Sequence, residues 1–226
     1  CVSAGADGIT VHPRPDQRHI RADDCYALAD ALSVEFNIEG NPFAAPMKSD
    51  RNGVSDYPGF IEIVRRTRPA QCTLVPDSNS QLTSDHGFDL IRSSAELAPI
   101  INELHKLGCR VSLFMDPVEE QIALARKIGA DRIELYTGPY AHAWGTAEQD
   151  TELARMFDIA ERAARHGLEL NAGHDLDRHN LLAIWDTPGL LEVSIGHAMV
   201  TRALEVGTAQ AIGELRAALR GEAAPA

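Results

Sequence analysis

The sequence has 226 residues, 44% hydrophobic and 24% charged, an ordinary globular composition that excludes a wholly disordered or collagen-like chain. Twenty-one Lys and Arg against 33 Asp and Glu give a formal charge of −12, which disfavours long-range attraction to nucleic acid or an anionic membrane, so an anionic ligand needs a local site. Cys1, Cys25, Cys72 and Cys109 are scattered without a CxxC, which speaks against a zinc knuckle or disulfide framework and for a reducing cytoplasm, and no run approaches the ~18 apolar residues of a membrane helix.

In chain order, the recurring signal is a Gly followed by a short β-rich run that ends in polar residues. It opens with Gly5-Ala-Asp-Gly-Ile-Thr-Val-His12 and returns at Gly108 to Phe114, Gly129 to Tyr136 and Gly167 to Asn171. Each Gly suits the left-handed residue that ends a helix, and each run suits a buried strand. Residues 34–39, 71–75 and 191–195 have the same strand character without the leading Gly. Between them, apolar spacings of three and four predict helices over 22–33, 58–67, 96–106, 118–128, 148–166 and 198–219. Residues 41–56, rich in Pro, Gly, Asn, Ser and Asp, and residues 77–88 read as loops.

Alternating strands and helices imply parallel strands with helical crossovers, either an open doubly wound sheet or a closed (β/α)8 barrel. The missing GxGxxG and Walker sequences and the chain length favour an α/β TIM barrel, as one domain over 1–220 with a frayed tail at 221–226. Only seven strands can be counted. Gly5 caps a helix of which residues 1–4 would be the end, so a first strand and most of a first helix are expected to be lacking. Residues 8–12 and 191–195 would then be exposed edges, and the chain should bind substrates weakly and fold poorly.

Barrel ligands sit at the carboxyl ends of the strands. His12, Glu39, Glu134, Thr137, His174 and His197 fall there. A single His at a strand end is more often a hydrogen-bonded structural residue, and Glu39 could pair with an Arg, but three such His with a Glu in an apolar strand favour a site. Burial would raise Glu39 toward the range useful for proton abstraction. His105 and His166 read as helix C-terminal caps, while His142 and Trp144 stay undecided. The turn Ser194-Ile-Gly196-His197 starts a helix whose free N–H groups suit a phosphate.

These motifs, with Arg14 and Arg18-His19-Ile20, Asn37-Ile-Glu39, Leu74-Val-Pro76, Val111-Ser-Leu-Phe114, Ile133-Glu134 to Thr137-Gly138, Leu170-Asn-Ala-Gly-His174 and Ile195-Gly-His197-Ala198, resemble the pyridoxine 5′-phosphate synthase family from Gly5 to about Leu219. The resemblance implies a (β/α)8 barrel with additional helices, usually octameric and without metal or organic cofactor. It would condense 1-deoxy-D-xylulose 5-phosphate with 3-amino-2-oxopropyl phosphate, giving pyridoxine 5′-phosphate, phosphate and water. By motif, His12 and Glu39 resemble the proton acceptors, His174 the proton donor and Glu134 the carboxylate that stabilises charged intermediates. Arg14, His19 and Thr83 resemble the holders of the deoxyxylulose phosphate, and Gly196 and His197 those of the amino-ketone phosphate. Asp175 stands where many members carry a Gly that contacts this second phosphate, residues 41–56 are longer than in many members, and the first strand is missing. A metal-dependent phosphosugar isomerase or epimerase, with His12, Glu39, His174 and His197 around one cation, and a non-catalytic ligand-binding remnant are the competing readings.

Overall fold

The computed structural model describes residues 1–222. The elements run β1 (Gly8–Val11), α1 (Ala22–Ala31), β2 (Glu35–Gly40), α2 (Phe60–Thr67), β3 (Gln71–Leu74), α3 (Leu90–Lys106), β4 (Arg110–Met115), α4 (Glu119–Lys127), β5 (Arg132–Tyr136), α5 (Gly138–Ala143), α6 (Gln149–Arg165), β6 (Glu169–Gly173), β7 (Leu190–Ser194), α7 (His197–Val206) and α8 (Thr208–Ala218). All seven expected strands form, and they pair in parallel in chain order from β1 to β7. The sheet curls into a nearly closed barrel: Gln71 Nε2 of β3 reaches Glu192 Oε1 of β7 at 3.4 Å across the lumen. β1 and β7 end the strand order without pairing to each other, the two edges the sequence reading expects.

The strand pleat sorts side chains by alternate positions. In β5, Arg132, Glu134 and Tyr136 alternate with Ile133 and Leu135, and in β4, Arg110, Ser112 and Phe114 alternate with Val111, Leu113 and Met115. The apolar set, with Phe36, Ile38, Cys72, Leu74 and Leu170, packs outward against Phe60, Ile63, Leu97, Ile101, Leu104, Ile122 and Ile159 of the helices. The main core therefore lies between sheet and helices. The lumen is polar.

Several boundaries differ from the sequence reading. The helix expected over 198–219 is two, α7 and α8, because Gly207 adopts φ 85 and ψ 154, a conformation that L side chains avoid. α3 starts at Leu90 instead of 96 because the Asp89 side chain accepts the Ile91 N–H at 3.0 Å as an N-cap. His142 lies in α5, where the sequence reads as loop, and a 3-10 turn forms at Asn180–Ala183. Residues Val2–Ala4 form a single 3-10 turn, which Gly5 ends at φ 99. Of the expected frayed tail, Gly221 and Glu222 donate backbone hydrogen bonds to Ala218 and Ala217, and residues 223–226 lie outside the described residues.

The join between β2 and α2 is tight. A Cβ at Gly40 would stand 2.3 Å from the fully buried Phe60 ring. Replacing Gly40 with Ala is therefore expected to lower stability by about 1–3 kcal/mol, the cost of an overpacked core. The check is a lower urea midpoint at unchanged slope; an unchanged midpoint would mean that Phe60 moves aside freely.

Candidate active site

The carboxyl ends of the strands open onto one cavity of about 1420 Å³. His12 follows β1, Glu39 lies in β2, Glu134 in β5, His174 follows β6, and Gly196 and His197 start α7. All six, with Thr83 and Asp175, line that cavity, which runs down the lumen and out between β1 and β7 toward α7 and α8. Arg14 lines a small adjoining recess that it shares with His12 and Asp77. His19 lies on the same loop but lines neither space.

His12 Nδ1 stands 3.9 Å from Glu39 Oε2, with 19% and 18% of the two side chains exposed, so both are reachable by a ligand and yet largely desolvated. Burial first, and the Arg14 guanidinium second, hold the His12 imidazole down at about 4. Burial, then the carboxylates of Asp77 and Glu192, push Glu39 up to about 7. This inverts the usual order of the two groups: between those values the proton rests on Glu39, and the contact is not a charged ion pair. Glu134 is held well above the ordinary carboxylate range, by burial first and then by Glu39. A Cβ at Gly173 would stand 2.2 Å from Glu134 Oε1, so this Gly lets the carboxyl lie against the neighbouring strand. Glu134 Oε2 is buried without a partner among the described residues.

His174 and Asp175 adopt φ 84 and φ 56, left-handed values that favour glycine. Thr137 fixes this bend. Its N–H donates to the Gly173 carbonyl at 2.9 Å, and its hydroxyl lies in hydrogen-bond contact with the carbonyls of Gly173 and His174. The His174 ring packs on Phe114 and Tyr136 with centroids 5.5 and 5.4 Å away, and burial lowers its imidazole below the ordinary value. Asn180 Nδ2 donates to the Asp175 carbonyl at 3.0 Å.

Asp77, which the sequence reading did not single out, organises the other rim. Its Oδ2 accepts from Arg14 Nη2 at 2.6 Å and from Ser84 Oγ at 2.7 Å, while Asn41 Nδ2 donates to its carbonyl at 2.9 Å. Glu192 and Arg132 in the lumen were missed as well; the polar–apolar alternation of their strands was the signal available. Of the other histidines, His179 also lines the cavity and His86 meets Asp85 at 2.6 Å within its own loop, whereas three belong to the framework: His105 Nε2 meets Asp131 Oδ2 at 2.8 Å, His142 Nδ1 donates to the Gly138 carbonyl at 2.7 Å, and His166 caps α6. Among the described residues, no three His, Cys, Asp or Glu come close enough to hold a metal ion. His12, Glu39, His174 and His197 thus share a cavity without converging on one point.

The family model described as "Pyridoxal phosphate biosynthesis protein PdxJ" matches residues 1–221. The chain is 54% identical over 230 residues to a pyridoxine 5'-phosphate synthase of Xanthomonas campestris pv. campestris (strain B100), spanning 100% of this chain and 87% of the relative. It is 56% identical over 214 residues to the synthase of Xanthomonas axonopodis pv. citri (strain 306), spanning 92% and 80%. A solved structure described as "Crystal Structure of 3-Hexulose-6-Phosphate Synthase" superposes with a TM-score of 0.60 at 16% identity, over 96% of this chain and 89% of that one, a likeness of fold.

The raised Glu39 carboxyl has a stability signature. With a pKa near 4.5 unfolded and about 7 folded, the folded state binds more protons across that window, so this group's contribution falls as pH rises from 4.5 to 7. Glu39→Gln removes that loss. Its stability relative to the parent is expected to improve between pH 4.5 and pH 8 by up to roughly 3 kcal/mol, at 1.36 kcal/mol per pKa unit. His12 gives the opposite trend, its contribution lost as pH falls from 6.5 toward 4, and comparison with the parent removes most of it because burial and Arg14, its main causes, are untouched by the substitution. Urea unfolding at the two pH values measures the difference, and a pH-independent difference would contradict the buried-carboxyl assignment.

Proposed function

The chain belongs to the PdxJ family, and from that premise we propose that it is a pyridoxine 5′-phosphate synthase that condenses 1-deoxy-D-xylulose 5-phosphate with 3-amino-2-oxopropyl phosphate. The observation that carries the reading is the gathering of His12, Glu39, Glu134 and His174 on one desolvated cavity, in a chain more than half identical to synthases across its length. Building a pyridine ring from an amine and two carbonyl compounds needs imine formation, loss of one phosphate, carbon–carbon closure and dehydration. Each step moves protons around carbonyl carbons.

In this reading Glu39 is the base that takes a proton beside the imine, a task suited to a carboxyl whose pKa lies near neutrality. His12, neutral above about 4, accepts a second proton. His174, aimed into the cavity by the strained bend that Thr137 holds, delivers a proton through its ring N–H to a departing oxygen. Glu134 enters the reaction uncharged, and a cationic iminium beside it would favour its ionisation and be stabilised in return. Arg14, His19 and Thr83 are assigned to the pentulose phosphate, and Gly196, His197 and Asp175 to the amino-ketone phosphate. Binding energy from these two remote ends orients the reacting carbons. We take residues 1–220 to act as one unit, in the cytoplasm, within a homo-oligomer such as the family's octamer.

The test is incubation of the protein with both substrates, reading pyridoxine 5′-phosphate and released phosphate; no ring product would reject the assignment. Glu39→Gln should keep the fold and lose turnover by roughly 10²-fold or more, the scale of a general base. The parent's kcat/KM should rise with pH up to about 7 as Glu39 loses its proton, falling about tenfold per pH unit below that. A flat profile from pH 5.5 to 7.5 would remove Glu39 from the base role.

A further inference from the structure

The loop from β3 to α3 contains Thr83 and crosses the cavity mouth without helix or strand. Its base is fastened by Asp77 to Arg14 and Ser84. Its tip is not held by packing, since Leu82 is 86% exposed. The side-chain bonds of Ser78, Ser80 and Gln81 stay within the loop: Gln81 accepts the Ser78 N–H at 2.5 Å and donates to Asp85 at 2.6 Å, and Ser78 meets Ser80 at 3.0 Å.

One side chain from outside the loop reaches the tip. Arg18, on the β1–α1 loop, donates through Nη2 to the carbonyl of Gln81 and, at 3.4 Å, to that of Leu82. Asp16 braces the arginine from its own loop: Asp16 Oδ1 accepts the Arg18 backbone N–H at 3.3 Å, and Asp16 Oδ2 lies 3.5 Å from Arg18 Nη1. The two clasped carbonyls immediately precede Thr83.

We propose that Arg18 is a positioning residue, a clasp that holds the β3–α3 loop closed so that Thr83 faces the cavity; the inference deepens the synthase reading and rests on it for its catalytic consequence. The clasp is built to open cheaply. Charge-assisted hydrogen bonds to two carbonyls favour closure, but Arg18 Nε is buried without a partner among the described residues, and that desolvation offsets part of the gain. A balance of this kind suits a loop that must admit two substrates and release a ring. While closed, it keeps water from imine intermediates that have already lost phosphate.

Arg18→Gln, compared with the parent, tests the clasp through two readouts. In hydrogen exchange without substrates, amides over residues 81–85 should exchange on the order of tenfold faster while the strands are unchanged, the signature of local opening. In turnover, the parent should release phosphate and pyridoxine 5′-phosphate in equal amounts. The variant should release an excess of phosphate as intermediates escape, and its KM for the pentulose phosphate should rise. A residue important only for stability would lower the unfolding midpoint without changing the product ratio. Arg18→Lys keeps the charge but cannot fork over two carbonyls; it should shift both readouts partway, and it carries the test if Arg18→Gln does not fold. Unchanged exchange over 81–85 together with an unchanged phosphate-to-ring ratio would overturn the proposal. Absence of ring product from the parent would instead reject the synthase reading, leaving the exchange measurement to decide whether Arg18 holds the tip.

Discussion

The pleat of a parallel strand places successive side chains on opposite faces, and here that alternation forces charge into the barrel. With the apolar set committed to the helices, the lumen receives Asn37, Glu39, Gln71, Arg110, Arg132, Glu134, Asn171 and Glu192. Buried charge survives only when it is paired. Arg132 supplies most of the pairing: its Nε donates to Glu169 at 2.6 Å, and its Nη1 lies 3.0 Å from Glu192, 3.2 Å from Gln71 and 3.3 Å from Asn171. Arg110 is bound to Gln71 and Glu35. Both arginines are thus committed toward the amino-terminal half of the strands. Glu39 and Glu134, nearer the mouth, stand above their ordinary range chiefly because they are buried, then because other carboxylates lie close, and neither of these two arginines pairs with them to offset it.

The sequence announces the strands because each follows local chemistry. Gly108, Gly129 and Gly167 take φ values of 87, 98 and 71 at helix ends, and the β-branched runs follow directly. It also announces the histidines and glutamates at the strand ends, since their position depends only on where a strand stops. The lumen was harder to read. Runs such as Arg132 to Tyr136 are buried strands, as their composition suggests, and only their alternation separates an outward Ile133 and Leu135 from an inward Arg132 and Glu134. The contacts of Asp77 and Arg18 are not legible in the sequence for a different reason. Asp77 meets Arg14, and Arg18 meets Gln81, across 63 residues of sequence, and no local pattern records such a contact. The break at Gly207 was missed because the apolar spacing continues on both sides of it.

The outer face shows the same division of labour. α7 buries none of its residues, and Leu204 and Val200 are 85% and 52% exposed, because this helix flanks the opening between β1 and β7 instead of packing over a paired strand. It is held mainly through α8. Arg202 donates to Glu214 from Nε at 2.8 Å and from Nη2 at 2.9 Å, and Arg178 approaches the same carboxylate at 3.4 Å. The start of α7 at Gly196 and His197 is therefore placed by an ion-paired pair of helices, whereas His12, Glu39, Glu134 and His174 are placed by the sheet.

That difference bears on how the proposed reaction would be ordered. The groups assigned to acid–base work line the lumen, where, with no ligand present, Glu39 titrates near 7 and burial holds the imidazoles of His12 and His174 toward neutrality. An imidazole in that state is a poor proton donor. A phosphate dianion bound beside it reverses the balance, because a nearby negative charge favours the protonated ring. On the proposed reaction, substrate binding does more than orient carbons: it brings the charge that readies His174 to give up a proton. Arg14, already paired with Asp77 at 2.6 Å, offsets only part of that charge. In the proposed reaction the polar lumen, the desolvated imidazoles and the rim assigned to phosphate form one electrostatic arrangement, in which His174 is readied as the acid when the phosphate ester is present.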